Sequence, residues 1–126
     1  MGLPVCRLDE IVPNSGVAAL VAGEQVAVFR LDDDTVFAVS NCDPFSRANV
    51  LSRGIVGDLK GELVVASPVY KQHFSLRTGA CVEDPTVRIA VYRARAQDGF
   101  VYVDIEEPLE GSDSEGSSSS RQGNQP

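Results

Sequence analysis

The sequence predicts one all-β domain of sandwich or barrel-like type. Short runs rich in Val, Ile, Phe and Ala recur along the chain, separated by turn residues such as Gly and Asp. Two of these runs alternate apolar and polar side chains, the period of two that marks a strand with one buried face. No stretch has the spacing of an amphipathic helix of ordinary length. Many short strands joined by close turns suit a sandwich or a barrel.

Taken in order, residues 17–21 and 26–29 flank Gly23-Glu24 and read as a hairpin. Asp32-Asp33-Asp34 is a polar turn before a third strand over residues 36–39. Residues 40–53 break the rhythm as a long loop, and long loops in compact domains tend to carry function. Residues 54–57 and 63–66 flank Lys60-Gly61 as a second hairpin. Residues 70–79 form a second interruption. Residues 87–93 alternate as a half-buried strand, and Asp98-Gly99 turns the chain into a last strand over residues 100–105. From Pro108 the composition changes to Gly, Ser and acids, with no aromatic or β-branched residue. Such a segment cannot bury enough apolar surface to offset its ordering entropy. The expected organisation is a domain over residues 1–107 and a flexible tail over 108–126.

A unit of this size buries roughly two-thirds of its unfolded surface and needs neither metal nor disulfide to fold. The net charge of −7 argues against general nucleic-acid binding, which takes a basic surface. The three cysteines, Cys6, Cys42 and Cys81, are odd in number and show no Cys-x-x-Cys spacing, so reduced thiols in a cytoplasmic protein are expected. No apolar run approaches the about 20 residues of a membrane-spanning helix. The N-terminus lacks a signal-peptide pattern, and Cys6 stands where a myristoylation motif takes Ser or Thr.

Both interruptions carry a recognisable phrase. Ser67-Pro68-Val69-Tyr70-Lys71-Gln72-His73-Phe74, followed by Leu76-Arg77-Thr78-Gly79, resembles the second ligand loop of a Rieske iron–sulfur domain, which runs Cys-Pro-x-His-Gly. Asp43-Pro44-Phe45 stands where the first loop has Cys-Pro-His. A Rieske [2Fe–2S] centre is held by two thiolates and two imidazoles. Here Asp43, Phe45, Ser67 and Tyr70 occupy the four ligand positions, and the chain has one histidine, His73. A normal Rieske centre is excluded by counting.

The ligand-free pattern, together with Asn41 and the phrase Ala48-Asn49-Val50-Leu51-Ser52-Arg53-Gly54, is similar to the small subunit of assimilatory NAD(P)H-dependent nitrite reductase. That resemblance implies a Rieske-like antiparallel β-sandwich or partial barrel with a small loop-rich tip and no cluster. It implies a large subunit carrying FAD, an iron–sulfur cluster and sirohaem, and an overall six-electron reduction of nitrite to ammonium. The small subunit would then be an accessory chain without catalytic, cofactor-binding or metal-binding residues of its own. A stand-alone binding or regulatory module on the same fold is the alternative.

The singled-out residues carry plainer expectations. Asp43 before Pro44 reads as an Asx-type turn. Phe45 and Tyr70 are expected to plug the vacated ligand cavity, with docking as the alternative. His73 has no orienting partner apparent in the sequence, which argues against acid–base catalysis. Cys42, Cys81 and His73 are too scattered for a structural zinc site. Residues 43–79 hold five bases and three acids, a net +2 within a chain of −7. Arg47, Arg53, Lys71, His73 and Arg77 are therefore the candidates for docking an acidic partner surface.

Overall fold

The computed structural model describes residues 4–108. Among these residues nine strands form two antiparallel sheets: β1 (Pro4–Arg7), β2 (Ser15–Val21), β3 (Glu24–Arg30), β4 (Val36–Ser40), β5 (Ile55–Leu59), β6 (Glu62–Ala66), β7 (His73–Ser75), β8 (Val91–Gln97) and β9 (Phe100–Pro108). The large sheet has the order β1-β9-β8-β4-β3-β2, and the small one β5-β6-β7. Two 3-10 turns, Leu8–Glu10 and Leu51–Arg53, are the helical elements among the described residues. The expected tail falls almost wholly outside the described residues.

Three hairpins turn through consecutive residues of positive φ: Ala22-Gly23, Lys60-Gly61 and Asp98-Gly99. Both central residues of a type I′ turn need that sign, and its twist matches the flanking strands. The first turn lies one residue earlier than the sequence reading placed it, at Ala22-Gly23. Two strands were not expected, β1 and β7. Each is four residues or fewer, too short for a period to register.

The expected strand over residues 87–93 is displaced: β8 begins at Val91. The alternation there is real as burial, since Ile89 and Val91 are interior and Arg88 and Arg93 exposed. The backbone bonds, however, go elsewhere. Ile89 N–H donates to Gly79 O and Ser40 N–H to Ala90 O, both at 2.9 Å. This stretch is an extended crossover that laces the small sheet to the large one.

Two cores follow from the alternation of β3, whose residues 26–29 are all fully buried. Ala27 and Phe29 face one way, joining Val39, Leu51, Val65, Phe74, Leu76, Ile89 and Val91 between the sheets. Val26 and Val28 face the other, with Ile11, Val36, Ala38, Tyr92, Val101 and Val103 inside the curled large sheet. A strand covered on both faces reads as a continuous apolar run. The small sheet and the loops beside it therefore sit as a cap on β3, which fixes the site described next.

Candidate functional site

Three turns share one hydrogen-bond scheme. In residues 43–48, Asp43 N–H donates to Ala48 O (2.9 Å) and Arg47 N–H donates back to Asp43 O (2.6 Å). In residues 67–72, Ser67 N–H donates to Gln72 O (2.9 Å) and Lys71 N–H to Ser67 O (3.1 Å). In residues 75–80, Ser75 N–H donates to Ala80 O and Gly79 N–H to Ser75 O, both at 2.9 Å. The first side chain of each turn caps an inner amide: Phe45 N–H to Asp43 Oδ1 at 2.8 Å, Val69 N–H to Ser67 Oγ at 3.3 Å, and Arg77 N–H to Ser75 Oγ at 3.2 Å. These are the local bonds that Asp and Ser form by preference in turns. The expected Asx turn at Asp43 is present.

The fifth residue of each turn is left-handed: Arg47 at φ 64°, Lys71 at φ 67° and Gly79 at φ 81°. Gly79 has no alternative, because a Cβ there would sit 2.1 Å from Ile89 O. Arg47 and Lys71 are exposed and adopt the same conformation with a side chain, at a cost of about 1 kcal/mol relative to Gly.

The first two turns are stapled together at their origins. Asp43 and Ser67, 24 residues apart, are both buried, and Ser67 Oγ–H donates to Asp43 Oδ2 at 2.5 Å. Behind them, Asn41 binds the rest of the first loop: Ser52 N–H donates to Asn41 Oδ1 at 2.8 Å, and Asn41 Nδ2 donates to Asn49 O at 3.3 Å. Ser75 Oγ donates to the Glu62 carboxylate across β6 and β7. Gln72 Oε1 beside these turns is buried without a hydrogen-bond partner among the described residues.

Phe45 and Tyr70 do not form the expected plug. Phe45 lies over the buried Phe74 ring, with centroids 6.2 Å apart, but keeps 36% of its surface exposed. Tyr70 is 58% exposed and fills nothing. The space between the loops is closed instead by the two small polar side chains, which reach each other directly. Phe45, Val69 and Tyr70 thereby form exposed apolar surface on the same two turns that carry Arg47 and Lys71.

The remaining docking candidates are dispersed. Arg53 ends the 3-10 turn after the first loop, and Arg77 lies in the third turn. His73 lies on β7 and does have an orienting partner, Glu83, ten residues on. Glu83 accepts from His73 N–H at 2.8 Å and meets His73 Nδ1 at 2.6 Å. Partial burial pushes the Glu83 carboxyl up, but the His73 amide and imidazole outweigh it and hold it below the usual range. The sequence reading missed Glu83 because an exposed acid in an irregular segment carries no pattern. Among the described residues no hydroxyl or thiol hydrogen-bonds the His73 imidazole. Burial raises the Cys81 thiol, which keeps it protonated and inert near neutrality. Among the described residues no three His, Cys, Asp or Glu side chains group in a way that could hold a metal ion.

A Rieske cluster does not fit this site. The four positions present a carboxylate, a hydroxyl, a phenyl and a phenol, and the first two are bonded to each other.

The family of Rieske-like [2Fe-2S] domains matches residues 3–104. The NADH nitrite reductase small subunit of Salmonella typhimurium is 52% identical over 98 residues, covering 77% of this chain and 91% of that one. The crystal structure of an NADH-dependent nitrite reductase small subunit from Mycobacterium tuberculosis superposes with TM-score 0.77 at 50% identity, over 80% of this chain and 91% of that one. The NAD(P)H nitrite reductase large subunit of Klebsiella oxytoca contains a stretch 39% identical over 99 residues, 79% of this chain but 10% of that protein. With its Rieske-like architecture and altered ligand positions, this chain belongs to the family of nitrite reductase small subunits.

Proposed function

We propose that this protein is the accessory subunit of an NAD(P)H-dependent nitrite reductase. It binds a large catalytic subunit through its tip and carries no redox centre itself. The observation that carries this reading is the Asp43–Ser67 bond: the two loops that elsewhere hold a cluster are here held by each other. Their outer surface combines Phe45, Val69 and Tyr70 with Arg47 and Lys71. Exposed apolar groups beside cations are what an interface uses for contact area and for orientation. The related stretch within the Klebsiella large subunit supports the partner, because a domain found both fused and separate works beside the same catalytic unit. The FAD, iron–sulfur and sirohaem chemistry then belongs to the large subunit. A cytoplasmic setting agrees with three free cysteines and with the absence, among the described residues, of a helix able to cross a membrane.

The test is association. The native protein is expected to co-purify with a flavin- and sirohaem-bearing polypeptide and to contain no stoichiometric iron after isolation as a single chain. Arg47→Glu with Lys71→Glu is expected to weaken that association at least tenfold at low salt, less at high salt, with the fold unchanged. Purification without a large partner would favour the stand-alone module. Unchanged affinity in the double variant would move the interface off the tip.

A further inference from the structure

The flank of the domain holds a groove that the tip does not use. The β4–β8 ladder is two pairs long, Ala38↔Tyr92 and Val39↔Val91, and beyond it the strands separate. The opening is a groove of about 320 Å3. Phe37, Leu76, Val91 and Tyr92 contribute its apolar lining, and Arg77 and Arg93 its charge. No acid lines it. Among the described residues neither guanidinium is paired with a carboxylate. Asp104, the cross-strand neighbour of Arg93, lies outside the lining and has an interaction of its own.

The chain itself provides a matching segment at this place. Strand β9 ends at Pro108, which pairs with Tyr92, a lining residue of the groove. The next residues are Leu109-Glu110-Gly111-Ser112-Asp113-Ser114-Glu115: one large apolar side chain, then three acids within six residues. Strands in a sheet lie about 4.8 Å apart, so two or three residues suffice to pass from β9 over β8 to the β4–β8 gap. The segment is tethered, so its local concentration is of millimolar order and an intrinsic dissociation constant of about 0.1 mM gives roughly 90% occupancy.

We infer that the groove between β4 and β8 is the docking site for the chain's own acidic segment, residues 109–115, with Leu109 on the apolar floor and the acids facing Arg77 and Arg93. This contact goes beyond the subunit reading and stands independently of it. It neutralises the flank and leaves the tip cations as the exposed basic surface. The fold does not depend on it.

Backbone relaxation of the full-length 15N-labelled protein tests this directly. Residues 109–111 are expected to show order parameters above about 0.6, against lower values for residues 117–126. In the full-length variant Leu109→Gly with Glu110→Gln, the amides of Arg77 and residues 91–94 are expected to shift, while those of Arg47 and Lys71 stay in place. Arg77→Glu with Arg93→Glu is expected to drop the order parameters of residues 109–111 to the level of the distal tail. Arg77→Lys with Arg93→Lys is expected to retain most of the order. Wild-type residues 109–111 as mobile as residues 117–126 would overturn the inference, as would groove amides indifferent to the tail substitutions. Shifts that grow with protein concentration would place the segment in a second copy and overturn its intramolecular form.

Discussion

Replacing Ser67 with alanine isolates the bond that stands where the cluster ligands would be. Among the described residues the hydroxyl is one of two hydrogen-bond donors to the fully buried Asp43 carboxylate, the other being Phe45 N–H. Ser67→Ala removes the first donor and leaves Asp43 Oδ2 without a partner. A hydrogen bond to a charged group contributes about 1.5–3 kcal/mol net, and an orphaned buried acceptor adds its desolvation penalty. The 3.3 Å bond from Val69 N–H is lost as well, but its length makes it a minor contribution. The volume removed is one oxygen, so a cavity contributes little. The expected loss is about 2–3 kcal/mol, on the order of 10–20 °C in melting temperature for a domain of this size. Asp43→Asn should cost less, about 1 kcal/mol. Its amide oxygen still accepts from Phe45 N–H, and its nitrogen donates to Ser67 Oγ. Urea unfolding followed by circular dichroism gives each value, and the Asp43→Ala, Ser67→Ala cycle gives the coupling. Coupling near zero, with a Ser67→Ala loss below about 0.5 kcal/mol, would refute the idea that this pair holds the loops together.

The exposed Phe45 ring lowers the cost of its removal: Phe45→Ala is expected to lose about 1–2 kcal/mol, not the ~3–5 of a buried ring, in the same urea assay. Arg47→Gly and Lys71→Gly should each stabilise the domain by about 0.5–1 kcal/mol by relieving a left-handed backbone, while weakening binding to a large subunit in a pull-down titration. Burial, reinforced by the charge of Glu24, pushes the Tyr92 phenol up to about 12 from an ordinary value of 10. The unfolded chain then loses this proton first, so stability is unaffected below about pH 10 and falls by roughly 2–3 kcal/mol as pH rises toward 12. Tyr92→Phe should flatten that alkaline limb of the melting profile.

Most of the strands were legible in the chain because their causes are local. Alternation of period two needs only neighbouring residues, and Lys60-Gly61 and Asp98-Gly99 announce their turns by the positive φ they must adopt. The altered ligand set was legible for the same reason, since it is a matter of which residue types are present. Residues 87–93 show where local reasoning stopped. Their burial alternates as expected, yet ladder pairing depends on which strands lie alongside, and Gly79 and Ser40 decide that. Asn41 was part of the resemblance, but its binding of residues 49 and 52 emerged only from the folded loop.

Composition and motif by themselves determined that this chain has a β architecture and lacks the ligands of a Rieske centre. Tertiary structure alone decided what took their place. Asp43 and Ser67 were each readable as turn residues, but their mutual bond spans 24 positions and exists only after the two loops have packed on β3. Phe45 and Tyr70 looked like the natural filling for the space because they are large and apolar. Tyr70 stays largely exposed and Phe45 partly so because a short polar pair already closes the gap, and a buried carboxyl group is tolerated there because each of its oxygens accepts a hydrogen bond. Size and hydrophobicity are properties of a residue, whereas satisfaction of a buried charge is a property of its neighbours, and only the folded chain brings those together.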